Sequence, residues 1–341
     1  MMSRLASALL AAAFAVSPAA AAPTLPTLGY TAELEGPVPI PPSEKGLQTI
    51  TAEPFFKVSD EGLQLEGAVF DRRGDLRFVD VFGDRVYRLT PDLQLTSFAT
   101  PAHFAPAGLA VHPDGRLFIA GLGNFKDTGG IIATRPDGSK PETIVPAGAG
   151  YLVDDIDFDA AGGFYFTDFR GTSSDPKGGV YYVSPDGKTT TPVLPNLAVA
   201  NGVALSPDGR TLWADELSGG VLHKVELSDA TTIAPFGTSV PYHFIGPAPD
   251  SMRVDADGNL YVAIYGQGRI LVFNATGLPI GQILIPGRDS GHNLRSTSMA
   301  FKPGTRELYI VASDARGGEG CGIYRVQAFA EAPARHAGQE Q

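Results

Sequence analysis

The sequence predicts an all-β fold, a six-bladed β-propeller with four antiparallel strands in each blade. Three observations predict it. A unit made of a strand, a turn containing Asp and Gly, and a second strand recurs six times. Its turn glycines, Gly74, Gly115, Gly162, Gly209, Gly258 and Gly304, are separated by 41, 47, 47, 49 and 46 residues. Each interval leaves room for a second hairpin, and four strands per repeat of about 45 residues is the pattern of a propeller blade. Finally, 41 glycines and 28 prolines in 341 residues are the punctuation of such a fold and exclude a long helical bundle, while a hydrophobic content of 43% excludes disorder.

Taken in chain order, the first element is an address. Arg4 precedes an apolar run from Leu5 to Val16, Ser17-Pro18 breaks it, and Ala19 to Ala22 are small. Residues 1–22 read as a secretory signal peptide, so the protein is expected to be exported, periplasmic or secreted. The run is too short to span a bilayer, and no other stretch is apolar enough for a membrane span. Residues 23–46 read as an N-terminal extension and residues 47–330 as a single propeller. Leu47–Ala52 is the strand expected to complete the last blade, and residues 331–341 read as a disordered tail.

The six units begin at Glu66, Ala107, Asp154, Asn201, Asp250 and Thr297. The second hairpin is visible in the third unit, where Gly179–Val183 and Thr189–Val193 flank Pro185-Asp186-Gly187. It is visible again in the fifth, where Arg269–Phe273 and Ile280–Ile285 flank Thr276-Gly277. Because the innermost strand of a blade lines the axial channel, the six opening residues ring that axis at one face. Glu66, Asp154, Asn201 and Asp250 are oxygen ligands, and three of them are carboxylates that would repel one another in a narrow channel. A cation in the central channel relieves the repulsion. Without His or Cys in the ring, the donor set disfavours zinc and copper and suits Ca2+, or else Mg2+ or Mn2+.

Specificity is expected in the loops of the same face. Phe125, Tyr151, Phe169, Tyr242, Phe244 and Tyr265 are the aromatic residues there that could wall an apolar pocket, and His292 lies on a loop of that face as a candidate substrate contact. The net charge of −11 argues against a nucleic-acid partner, and the single Cys321 excludes an internal disulfide. There is no HExxH, nucleophile elbow or P-loop. No oligomer is predicted.

The stretches around Glu66, VANGVALS at Asn201 and PDSMRVD at Asp250 resemble the calcium-dependent lactonases of the senescence marker protein, gluconolactonase and luciferin-regenerating enzyme superfamily. GGFYFTDFRG, GGVYYVSPD, YVAIYGQGRILVFN and PIGQILIPGRDSGH resemble its drug-responsive lactonase branch most closely. The resemblance runs from about Leu47 to the C-terminus. It implies a hydrolase of the carboxylic ester class acting on a small-molecule lactone. Glu66, Asp154, Asn201 and Asp250 match the catalytic calcium ligands, Ser251 matches a further ligand, and Asp250 matches the general acid/base. A second, structural calcium is implied by Asp127, Gly129 and Tyr151, although the position of its acidic ligand falls near Pro146, where no carboxylate stands.

The expectation is a metal-dependent lactonase. The metal polarises the carbonyl, water attacks, and Asp250 serves in proton transfer. The apolar loops favour a hydrophobic or aromatic lactone. The alternatives are a sugar-lactone or phosphotriester hydrolase using the same site, and a non-catalytic exported propeller that binds a ligand.

Overall fold

The computed structural model describes residues 25–31, 34–246, 248–315 and 318–334. The chain forms two compact units, residues 1–35 and residues 36–341. In the first, the Leu34 N–H donates to Thr31 O at 2.8 Å. The signal read at residues 1–22 lies outside the described residues.

The second unit is the six-bladed propeller. Its innermost strands are Leu65–Phe70, Pro106–Val111, Val153–Phe158, Ala200–Leu205, Pro249–Val254 and Arg295–Phe301. Each packs on the innermost strand of the next blade, and the sixth returns to the first. Val153–Phe158 and Ala200–Leu205 are buried throughout, because neighbouring blades cover both faces of the sheet. The core therefore lies between blades. Trp213 and Leu222 of the fourth blade, for example, pack with Met252, Leu260 and Phe273 of the fifth. The turn leaving each innermost strand is closed as at Gly115, whose N–H donates to His112 O at 2.8 Å. Its φ of +91° is why glycine stands there.

Ring closure differs from the expectation. Gln48–Thr51 does not complete the last blade; it pairs in parallel with Pro279–Leu284 as a fifth strand of the fifth blade. The closing strand is the next one, Glu53–Ser59, antiparallel to Cys321–Gln327 of the sixth blade. Pro54 is tolerated there because an outermost strand has one free edge. Phe55 and Phe56 supply the apolar grip, with the Phe55 ring edge-on to Tyr309 at 5.0 Å.

Both ends of the expected propeller also move. Glu44, read as part of an extension, is 1% exposed and ion-paired with buried Arg269 at 2.5 Å. Tyr242 donates to the same carboxylate. Glu331 and Ala332, read as tail, are fastened: Glu331 O accepts Ala256 N–H at 2.9 Å and Ala332 N–H donates to Thr305 O at 3.0 Å. Residues 335–341 lie outside the described residues.

Candidate active site

The site begins with a backbone irregularity. In the second to fifth blades the innermost strand loses register with its neighbour at its opening residues, between Pro106 and Leu109, Val153 and Ile156, Ala200 and Val203, and Pro249 and Met252. Two residues there oppose one, which is a β-bulge, a device that re-aims side chains. The first and sixth blades carry their own shifts, between Glu66 and Val69 and between Ser296 and Ser298. The bulged pairs are Ala107-Gly108, Asp154-Asp155, Asn201-Gly202 and Asp250-Ser251. Strict alternation would send the second member of each pair away from the first. Asp154, Asp155, Asp250 and Ser251 are all buried.

Adjacent innermost strands approach closely at these bulges. A Cβ on Gly108 would lie 2.5 Å from Asp154 O, and one on Gly202 would lie 2.6 Å from Asp250 O. Larger residues at either position would push the ring open. Thr167 Oγ1 donates to Asn201 O and Thr297 Oγ1 donates to Leu65 O, each at 2.6 Å, so the rim is fastened from blade to blade.

The electrostatics of the ring are unfavourable without a counter-charge. Burial, partly offset by the Ser251 hydroxyl and reinforced by the charge of Asp155, pushes the Glu66 carboxyl up to about 7. Burial, then the charge of Glu66, holds Asp154 well above the ordinary carboxylate range, and the same causes with Asp154 added act on Asp250. Ser251 Oγ donates to Glu66 Oε1 at 3.0 Å, and the Ser251 N–H donates to Asp250 Oδ1 at 2.8 Å. The fourth member, Asn201, is 3% exposed, and its Oδ1 has no hydrogen-bond partner among the described residues. A buried carbonyl oxygen without a donor, beside three buried carboxylates, is the donor set of a hard cation. These residues fit a divalent ion such as calcium.

Sequence reasoning missed the groups behind the ring. Asp155 is fully buried and ion-paired with Arg253 at 2.9 Å, an arginine that also donates to Met252 O. Asp215 lies opposite the Asn201-Gly202 bulge. Its Oδ1 accepts Gly202 N–H at 3.0 Å, its Oδ2 has no hydrogen-bond partner among the described residues, and burial holds it well above the usual range. The doublet Asp154-Asp155 and the Arg three residues after Asp250 were the available signals.

The pocket residues separate. Tyr265 stays near the ring, where burial raises its hydroxyl pKa and the charges of Arg295, Asp250 and Glu66 all act on it. Phe125 is 45% exposed and stacks on Phe82 of the first blade at 5.8 Å. Phe169 packs into the core of the first two blades. Tyr242 and Phe244 are half-buried rings with apolar neighbours. They pack edge-on against Phe273 at 5.0 and 6.0 Å, between the fourth and fifth blades, because Tyr242 belongs to the outermost strand of its sheet. His292 Nδ1 lies 2.7 Å from Asp314 Oδ2, which raises its pKa. With Glu319 the two form a trio whose ligand atoms lie within 4.8 Å of one another.

At the second expected metal site, Gly129 and Tyr151 meet through a backbone bridge. The exposed Asp127 carboxylate accepts from Asn124 Nδ2 at 3.0 Å. The Tyr151 side chain packs against Phe166 and Tyr181. Near Pro146 the backbone forms a 3-10 turn, Ala147–Ala149, and offers no carboxylate.

Comparison with known proteins follows this geometry. Residues 65–314 match the family description SMP-30/Gluconolactonase/LRE-like region. A protein called lactonase drp35 from Staphylococcus saprophyticus is 53% identical over 311 residues, covering 90% of this chain and 96% of that protein. The lactonase drp35 of Staphylococcus aureus strain USA300 is 51% identical with the same coverage. Among solved structures, a calcium-binding protein, regucalcin, from Agrobacterium tumefaciens superposes with a TM-score of 0.68 at 19% identity, over 84% of this chain and 98% of that one. A gluconolactonase from Xanthomonas campestris gives 0.65 at 21%, over 82% and 96%. These two likenesses concern the fold.

Proposed function

We propose a function that proceeds from one premise: the chain belongs to the SMP-30/gluconolactonase/LRE-like family and is a lactonase, a carboxylic ester hydrolase. The proposal is that it opens a small hydrophobic or aromatic lactone at the ring of Glu66, Asp154, Asn201 and Asp250, with a divalent cation held by those residues and Ser251. The carrying observation is the buried, partnerless Asn201 Oδ1 beside three carboxylates whose proton affinity burial has raised. Calcium is the favoured ion. Carboxylate, amide and hydroxyl oxygens without His or Cys are the donor set calcium takes.

Bound there, the cation supplies Lewis acidity toward the lactone carbonyl. The chain supplies the proton chemistry. Asp250 Oδ1 is fixed by the Ser251 N–H, so the carboxylate has a set orientation at the channel mouth. Burial among like charges raises its proton affinity when no cation is bound, and as the deprotonated carboxylate it would accept the proton released as water adds to the carbonyl. That proton then passes to the ring oxygen as the C–O bond breaks, giving a hydroxy acid. Tyr265 is close enough to Asp250 and Glu66 for their charges to act on its hydroxyl. Export by residues 1–22 belongs to the same reading and rests on the apolar run alone.

The test is a panel of aromatic, aliphatic and sugar lactones, assayed on the wild type, on chelated protein with and without restored calcium, and on Asp250→Ala. Turnover of aromatic lactones that is lost on chelation, restored by calcium and absent in Asp250→Ala supports the reading. Undiminished turnover in both perturbed samples overturns it.

A further inference from the structure

Arg295 opens the innermost strand of the sixth blade, paired with Ser313 and two residues before Thr297. It is half-buried, and among the described residues its guanidinium has neither a hydrogen bond nor an ion pair. Other buried or half-buried arginines of this protein differ: Arg77 pairs with Asp71, Arg170 with Asp168, Arg253 with Asp155 and Arg269 with Glu44. Holding a guanidinium partly out of water without a partner is costly, so its partner is expected to come from outside the chain.

Its place is fixed by its neighbour. Ser296 Oγ donates to Ile264 O at 3.1 Å and accepts Arg269 N–H at 3.2 Å. That ties the start of the strand to the residue before Tyr265. The sixth blade also stands between the fifth and the first, whose ring residues Ser251 and Glu66 are joined at 3.0 Å. Arg295 is thus, among the described residues, an unpaired cation at the start of the strand that carries Thr297, close enough to Tyr265 for its charge to act on that hydroxyl, as the charges of Asp250 and Glu66 do.

We propose that Arg295 selects the substrate by binding an anionic substituent, so that the preferred lactone carries a carboxylate besides its reacting ring. A planar guanidinium matches a carboxylate through two parallel N–H···O bonds, and a cation already paired within the protein could not serve. The inference rests on the lactonase reading and narrows its substrate class.

Two unreactive five-membered lactams test it: 5-oxoproline, which bears a carboxylate, and 2-pyrrolidinone, which does not. Each is titrated calorimetrically into calcium-treated wild type, Arg295→Gln and Arg295→Lys, with melting curves confirming that the variants fold. The wild type is expected to bind 5-oxoproline at least about tenfold more tightly than 2-pyrrolidinone, Arg295→Gln to bring that ratio near one, and Arg295→Lys to keep part of it. Equal binding of the two lactams by the wild type, no measurable binding of 5-oxoproline, or a preference that survives Arg295→Gln overturns the proposal. Because the readout is binding of a ring that does not open, it separates from the lactone panel. A silent panel with this preference intact counts against the hydrolytic reading and not against the assignment of Arg295.

Discussion

Ser251 Oγ donates a hydrogen bond to Glu66 Oε1 at 3.0 Å, joining two residues 185 positions apart in the chain. It joins the fifth blade to the first across the sixth, where the ring residue is Thr297 and its hydroxyl is turned to Leu65 O. The bond favours the charged form of Glu66 and works against burial. Replacing Ser251 with Ala is expected to lower stability by about 1 kcal/mol and calcium affinity by about tenfold. Denaturant melts and a calcium titration read the two effects, and unchanged affinity removes Ser251 from the site.

Asn201 offers the converse experiment. Its Oδ1 is buried and unpartnered, so removing it takes no internal hydrogen bond from that oxygen. Asn201→Leu is expected to leave the stability of chelated protein equal or higher, while calcium affinity falls about tenfold or more. A variant that is destabilised without calcium and binds it normally would show Asn201 to be structural.

Acidity gives a third prediction, with a definite sign. Burial raises Glu66 to about 7 from an ordinary 4.5, and Asp154 and Asp250 move the same way. The folded, metal-free protein therefore binds more protons than the unfolded chain. Its stability falls as pH rises from the unfolded carboxylate value through the folded one. Chelated protein should melt at a lower temperature at pH 7.5 than at pH 5, Glu66→Gln should flatten part of the slope, and calcium should bind more tightly as pH rises. A melting temperature of chelated wild type that stays level or climbs over this range contradicts the assignment.

A fourth concerns the start of the propeller. Glu44 and Arg269 are both buried and meet at 2.5 Å, and Gln282 and Gln267 also accept from that guanidinium. Glu44→Ala leaves a buried cation short of its counter-charge and is expected to cost about 3–5 kcal/mol. Chemical denaturation measures it, and a loss below about 1 kcal/mol would mean that the glutamines alone satisfy Arg269.

The ring was legible because the turn glycine is a fixed ruler: counting back eight residues finds Glu66, Asp154, Asn201 and Asp250. What lay beyond the ruler was decided by irregular backbone and by contacts between distant segments. The bulge at Asp154-Asp155 breaks the alternation of a regular strand, and Asp155 stands buried behind the ring, paired with Arg253. Gln48–Thr51 looked like the closing strand, yet the apolar pair Phe55-Phe56 behind Pro54 decides closure by packing on Tyr309. Tyr242 lies in Thr232–His243, the outermost strand of its sheet, and Phe244 follows that strand, both packing against Phe273. Glu44 precedes any recognisable strand, and only its partner Arg269, 225 residues later, shows that it belongs to the fold.

The central claim is that one cation sits where Glu66, Asp154, Asn201 and Asp250 converge. Anomalous diffraction from crystals of the chelated protein soaked in a manganese or calcium salt tests it most directly. The account predicts a dominant peak in the channel touched by oxygens of those four residues, and its loss in Asp154→Ala. An empty channel, or a dominant peak at His292, Asp314 and Glu319 instead, would contradict it.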